Sequence, residues 1–342
     1  MKILIVSPQY NGLMKYSKPL YKLIKENSIN DEIFYDGFPN INFNIEEINK
    51  NLNFITEKII KLNPDIIHYN YGTYDAEQLI PYFLDKKGFN CKSYLTYHSL
   101  QFDLFKKINI EEYDKYSNEY VSKMDGYVFF TEYGKSIFTE KYGMPLNSVV
   151  SYHPKTHNIN LDEKQKEYYD LKYGIDRDKK YACTLGYASH WKDSSFIIKL
   201  CENFKNINFI VAGPYWLQKI KKENPNLDIK KISNLKIIDE ELLGDDFNYF
   251  LNLGIGIFPY RYFKSFQGSG LLPNYLGNGL PYIANSIKPF EEYCKGSKYC
   301  FDFNDEKLLF KMFEERLNDS SNVVDDEFTY ENHTKKILKL WR

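Results

Sequence analysis

The 342-residue sequence predicts an α/β chain of two Rossmann-like halves, each a parallel sheet wrapped by helices, facing each other across a cleft. Three observations carry that prediction. Short apolar runs bounded by turn residues alternate with helical patterns along the whole chain, the signature of repeated strand–helix units. The length exceeds that at which a single core keeps growing, so two domains of roughly 150 to 190 residues each are expected. Between His153 and about Lys179 the apolar pattern lapses into a polar, Lys- and Asp-rich stretch, after which a second strand–helix series begins.

In the first half the strands are read at Ile3–Val6, Glu32–Tyr35, Asp65–Tyr69, Lys92–Tyr97, Gly126–Phe130 and Ser148–Tyr152. The clearest helix between them carries Ile45, Ile48, Leu52, Ile55, Ile59 and Leu62 at three-and-four spacing, one apolar stripe that ends at Asn63-Pro64. The second series opens with the strand Tyr181–Leu185 and continues at Asn208–Ala212, Leu235–Ile238, Gly254–Pro259 and Pro281–Ala284. Its helices are read near Ser194–Phe204, Asp245–Asn252 and Ser269–Gly277. The expected domains are therefore residues 1–155 and 180–326, with 156–179 as a linker. A final helix, 327–342, is placed back on the first domain.

Composition narrows the function classes. Hydrophobic residues at 43% and charged residues at 27% lie near globular averages and argue against a disordered chain or a coiled coil. Tyr 31 and Phe 25, in a chain also heavy in Ile, Asn and Lys, are read as the codon usage of an AT-rich genome rather than as a stacking surface. A net charge of -1 disfavours a nucleic-acid partner, which would need dense phosphate neutralisation. No run of 18 apolar residues occurs, and Met1-Lys2 leads straight into a strand rather than a signal peptide, so a cytoplasmic location is expected. Five cysteines without a CxxC pair suggest neither zinc nor disulfides and are read as reduced, mostly buried thiols.

The segment after the strand Gly254–Pro259 is the most informative. A loop with Gly268, Ser269 and Gly270 runs into a helix, so backbone N–H groups and the helix dipole would point at a bound anion. The plain alternative is a glycine-rich turn capped by Ser269. Ser269-Gly270, the helix after it and Gly279-Leu280-Pro281-Tyr282-Ile283-Ala284 resemble the donor-binding segment of the retaining glycosyltransferases of GT-B fold, the large glycosyltransferase group 1 family. Other stretches agree in order. Pro64–His68 looks like the family's third strand, Thr96-Tyr97-His98 like the strand ending in its cleft histidine, and Asp125–Glu132 like its strand entering a helix. Gly186 followed by Lys192 is similar to its phosphate clamp, and Ile210–Pro214 to its base-side turn. This sequence also departs from the pattern: the family's two glutamates, eight positions apart, are Phe266 and Asn274 here, and the clamp arginine is Tyr187.

The resemblance implies a metal-independent glycosyltransferase of the hexosyl-transferring type. A nucleotide-diphosphate sugar is its co-substrate, no further cofactor is needed, and a glycan, lipid-linked or protein molecule is the acceptor. With no carboxylate at the family's sugar position, it implies retention by a same-face displacement in which the leaving phosphate takes the acceptor proton. Stabilising that phosphate needs a cation, a hydroxyl and backbone amides. Lys192 and His98 are the catalytic candidates. Donor binding falls to Gly12, Gly186, Tyr187, Lys192, Gly213, Gln267, Ser269, Gly270 and Asn274, and the acceptor side to Asn70 and Tyr71. Gly12 is expected in a cleft loop, Ser7–Gly12, although no G-x-G-x-x-G fingerprint is present. Each candidate has a plainer alternative: a solvated surface lysine for Lys192, a hydrogen-bonded structural histidine for His98. The remaining histidines show no metal-ligand spacing, and His153 and His157 are assigned to the linker. The basic and aromatic stretch Met14–Lys25 is read as a solvated helix face, with peripheral contact to the inner membrane face as its alternative. Two rival functions stay open: a catalytically silent GT-B-like binding subunit and a nucleotide-sugar epimerase.

Overall fold

The computed structural model describes residues 1–9, 11–38, 44–71, 76–98, 110–157, 159–319 and 323–342. Packing divides the chain into two units. Unit one comprises residues 1–154, 264–268 and 329–342; unit two comprises 155–263 and 269–328.

Unit one is a six-stranded parallel sheet in the order β2-β1-β3-β4-β5-β6. Its strands are β1 (Lys2–Pro8), β2 (Glu32–Phe38), β3 (Ile66–Tyr71), β4 (Lys92–Tyr97), β5 (Gly126–Phe129) and β6 (Ser148–Val150). Helices α1 (Asn11–Asn27), α2 (Ile45–Leu62), α3 (Ile80–Lys86), α4 (Glu111–Val121) and α5 (Glu132–Tyr142) connect them. The α2 stripe does what its spacing dictates. Asn44 caps its start by accepting from the Glu46 and Glu47 N–H groups, Ile48, Leu52, Ile55 and Ile59 are buried, and Asn63 ends it in the left-handed conformation. That stripe meets Leu4, Val6, Tyr69 and Tyr71 in one core. The other sheet face packs Ile3, Ile5 and Ile66 against Tyr16, Leu20 and Ile24 of α1 and against Ile337, Leu340 and Trp341 of the C-terminal helix Tyr330–Trp341.

Alternate residues of a strand point to opposite sheet faces, so His68 and Asn70 share the α1 face while Tyr69 and Tyr71 enter the α2 core. On the α1 face the histidines are knitted into the packing. His68 Nε2 lies 2.7 Å from Thr96 Oγ1 and its Nδ1 accepts from Trp341 Nε1 at 3.0 Å. His333 bridges Tyr16 Oη at 2.5 Å and Ser151 Oγ at 2.7 Å. His153, assigned to the linker by the sequence, is instead buried in unit one, 5.3 Å from Tyr16 between ring centroids.

Unit two repeats the architecture with a second parallel sheet in the order β12-β11-β10-β7-β8-β9. Its strands are β7 (Lys180–Leu185), β8 (Ile207–Ala212), β9 (Leu235–Ile238), β10 (Ile255–Phe258), β11 (Tyr282–Asn285) and β12 (Cys300–Phe301). Between them lie α6 (Glu163–Tyr173), α7 (Ser194–Asn203), α8 (Trp216–Glu223), α9 (Asp245–Asn252), α10 (Leu272–Leu276), α11 (Lys288–Cys294) and α12 (Glu306–Asn318). The stretch 156–179 holds a full helix, α6. A reciprocal capping box of Asp162 and Gln165 starts it and Gly174 at φ 57° ends it. Its apolar face is made of tyrosines set among Lys, Glu and Asp, which hid it from periodicity; Tyr169 and Tyr173 pack on Tyr249 and Phe250 of α9. The helix read at Ser269–Gly277 is only the five residues of α10, and the two-residue β12 was not read at all. All five cysteines are free thiols. Among the described residues no helix is long and apolar enough to cross a membrane.

Candidate functional site

Unit two's strand order runs outward in both directions from the β7–β10 pair. Open parallel sheets bind ligands beyond the carboxyl ends of such a pair. The exits of the pair and of neighbouring β8 lie at that end: Gly186 after β7 at φ 80°, Gly213 after β8 at φ 138°, and Pro259-Tyr260 after β10. Gly213 is required, because a Cβ there would sit 2.4 Å from the Gly186 carbonyl oxygen and drive the two exits apart. That carbonyl also accepts from Trp216 Nε1 at 2.8 Å, while the Trp216 backbone N–H donates to Asp239 at 2.6 Å.

Lys192 is the central group. Its segment is pinned to the β10 exit by a Lys192–Tyr260 bridge and by the Asp193 N–H donating to the Pro259 carbonyl at 2.7 Å. The side chain is only 4% exposed. Nζ donates to the Leu185 carbonyl at 2.7 Å and lies 5.6 Å and 5.7 Å from the ring centroids of Trp216 and Tyr260. No carboxylate pairs with it among the described residues, and one of its three donors is engaged. Burial, helped by nearby Lys219, lowers its pKa to about 7. A solvated surface lysine is thus ruled out. A buried ammonium costs several kcal/mol to desolvate, and an anion placed beside Nζ would offset that cost.

The glycine-serine loop corrects the expected helix-dipole site. Ser269 is buried, and its Oγ accepts from the Leu271 and Leu272 N–H groups at 3.0 Å and 3.4 Å, which engages the first amide of the short α10 and the one before it. The Ser269 hydroxyl proton is left to donate, with Tyr260 Oη 3.4 Å away; burial pushes the Tyr260 phenol up to about 12. Gly270 is exposed beside it. Asn274, a ribose candidate in the sequence, is structural: its Oδ1 accepts from the Thr156 and His157 N–H groups, both at 2.8 Å, and its Nδ2 donates to the Gly270 carbonyl at 2.8 Å. His157 belongs to unit two, stacked on Phe247.

Tyr187 and Tyr215 follow the β7 and β8 exits and are 49% and 61% exposed. Among the described residues three non-glycine residues have positive φ; Asn63 and Lys295 end helices in the usual left-handed cap. Tyr215, at φ 72°, instead starts α8, a conformation costing about 1–3 kcal/mol for a bulky residue and typical of functional sites. Sequence reasoning missed the buried Trp216 and Tyr260 rings and the strained Tyr215, because no spacing rule links them; only the approach of two chain exits does.

In unit one the order reverses between β1 and β3, and α1 begins at Asn11. Gly12 is therefore a helical residue and not part of a loop; Tyr10 lies outside the described residues. Both acceptor-side candidates are buried. Tyr71 sits in the α2 core, and Asn70 has neither amide atom hydrogen-bonded among the described residues. His98 donates its backbone N–H to the Tyr71 carbonyl at 3.0 Å, and its ring packs edge-on against Tyr16 at 4.4 Å and Phe130 at 4.9 Å. Its Nε2 is shielded and unpartnered among the described residues, and burial, then the charges of His153, His333 and His68, hold its pKa well below the usual value. Gln267 and Phe266 are buried in unit one, where Gln267 Nε2 donates to the Tyr97 carbonyl and the Gln267 backbone carbonyl accepts from Thr131 Oγ1 at 2.9 Å. Gln267 is thus committed to holding the 264–268 segment. Among the described residues no group of three or more His, Cys, Asp or Glu side chains could hold a metal ion.

No protein-family model matches the chain, and no curated protein matches it in sequence. Solved structures do match over its full length. Sucrose-phosphate synthase from Thermosynechococcus elongatus superposes with a TM-score of 0.71 at 11% identity, covering 100% of this chain and 98% of that one. HepE from Anabaena, in complex with UDP-glucose, gives 0.65 at 11%, covering 99% and 97%. UDP-GlcNAc 2-epimerase from Neisseria meningitidis, bound to UDP-GlcNAc, gives 0.61 at 12%, covering 100% and 99%. At these identities the likeness shows the fold: two six-stranded parallel sheets flanked by helices, the α/β arrangement of the GT-B glycosyltransferases.

Proposed function

We propose that this protein transfers a sugar from a nucleoside-diphosphate sugar to a hydroxyl of a glycan, lipid-linked or protein acceptor. The observation that carries the reading is Lys192, a buried lysine with no carboxylate partner among the described residues, at the switch point of a parallel sheet. Fold neighbours whose structures contain UDP-glucose and UDP-GlcNAc support the donor class.

In the proposed reaction the bond between the anomeric carbon and the diphosphate oxygen breaks while the acceptor hydroxyl bonds to that carbon. On the retaining course the departing diphosphate takes the hydroxyl proton on the same face. Protonated Lys192 neutralises the charge that builds on the leaving group, the Ser269 hydroxyl donates to a phosphate oxygen, and the Gly186 and Gly213 turns let backbone approach it. Lys192 supplies the positive charge, so the reaction is assigned no metal. Unit one is assigned acceptor binding.

The test is a nucleotide-sugar screen by calorimetry, then turnover with mixed acceptors. Lys192→Met is expected to weaken donor binding roughly hundredfold or more, as for a lost oxyanion donor. If no nucleoside diphosphate or its sugar binds, the reading is wrong. Binding without turnover is a second reading, favoured by the structural use of Asn274; a donor that binds with no product under any acceptor would establish it. A sugar altered in the absence of acceptor would point instead to the chemistry of the epimerase neighbour.

A further inference from the structure

We propose that Tyr187, Tyr215 and Glu241 form the nucleobase subsite of this protein and that it prefers guanine. The inference rests on the nucleoside-diphosphate reading above. The two tyrosines directly follow the glycine exits that back Lys192, Tyr187 next to Gly186 and Tyr215 two residues beyond Gly213. Around them Trp216 and Tyr260 are buried, yet these two rings stay about half exposed, with centroids 6.4 Å apart and planes inclined by 36°. They make an aromatic ledge, and a ledge of this kind stacks any base because every base presents a π-face. The left-handed backbone at Tyr215 supports a functional role, since among the described residues it is the one non-glycine case that does not simply end a helix.

Choice among bases falls to the carboxylate at the edge of the ledge. Tyr187 Oη donates to Glu241 Oε1 at 3.3 Å, which fixes the carboxylate beside the ring. An ionised carboxylate only accepts hydrogen bonds. Guanine presents its N1–H and N2 amino donors side by side and can engage both oxygens, the bidentate match that makes such pairs strong. Adenine and cytosine offer one amino group next to an acceptor nitrogen. Uracil's single N–H lies between two carbonyl oxygens that the carboxylate repels.

Calorimetry on the full chain with GDP, ADP, CDP and UDP tests this. GDP is expected to bind about tenfold or more tighter than UDP, a difference typical of a charge-assisted pair. Glu241→Gln should bring the four nucleotides within about threefold of one another, and Tyr187→Ala should weaken all four together. UDP binding as tightly as GDP, or a GDP preference that survives Glu241→Gln in a variant with unchanged melting temperature, overturns the assignment. If all four bind alike and Lys192→Met abolishes binding, the base assignment falls and the diphosphate site stands. If none binds, both fall.

Discussion

Raising the pH from 7 to 9 should weaken donor binding about fiftyfold, and the reason lies in Lys192. Its pKa in the free protein is about 7 because the ammonium is buried beside a carbonyl and two rings, near Lys219 and with no counter-ion among the described residues. A bound diphosphate supplies that counter-ion and raises the pKa, so the complex holds the proton throughout this range. At pH 7 about half of the free protein already carries the proton, and at pH 9 about one molecule in a hundred does. Binding must then include proton uptake, whose cost grows by RT ln(101/2), about 2.3 kcal/mol. Isothermal titration with a nucleoside-diphosphate sugar, whose phosphodiester groups stay ionised across the window, measures the change. Repeating it in buffers of different ionisation enthalpy should show about half a proton taken up at pH 7 and nearly one at pH 9. Lys192→Met should bind weakly and with no such dependence. Flat affinity from pH 7 to 9 with no proton uptake would refute the reasoning.

Three further outcomes follow from other parts of the molecule. His68 and His153 have pKa values lowered by burial to about 3 and about 4, below the unfolded value, so the stability they contribute is complete above pH 6.5 and is lost as pH falls toward those values. Between pH 7 and 5 each should cost up to about 2 kcal/mol, measured as a drop in urea midpoint; an unchanged midpoint would show that the histidine cluster admits water. Asn274→Leu removes the acceptor for two backbone N–H groups and should destabilise by about 2 kcal/mol in urea while nucleotide affinity holds. A hundredfold loss of affinity at unchanged stability would restore its role at the ribose. Gly213→Ala meets both a φ of 138° and a carbonyl 2.4 Å from the new Cβ, and should cost about 3 kcal/mol or more; a variant that melts like the parent contradicts the close approach.

The sequence by itself determined the two parallel sheets, because strand and helix signals are local. An apolar run between turn residues, or a stripe such as Ile48, Leu52, Ile55 and Ile59, buries one face whatever its neighbours are. The resemblance to the GT-B family singled out Gly186, Lys192 and Gly213, and the glycine-serine loop ahead of a helix singled out Ser269. Helix α6 escaped sequence reasoning because tyrosines cover an otherwise charged helix, and a tyrosine stripe carries little hydrophobic contrast. Only the tertiary structure decided what each polar side chain does. Asn274 and Gln267 read as ligand contacts until their amides are seen engaged by backbone, and Tyr71 faces a core while its neighbour Asn70 faces the opposite side of the sheet. Lys192 changed most. Spacing made it a phosphate-binding candidate, and the bridge to Tyr260 made it a buried one, because hydration and burial are set by contacts between exits more than 60 residues apart that no local pattern encodes.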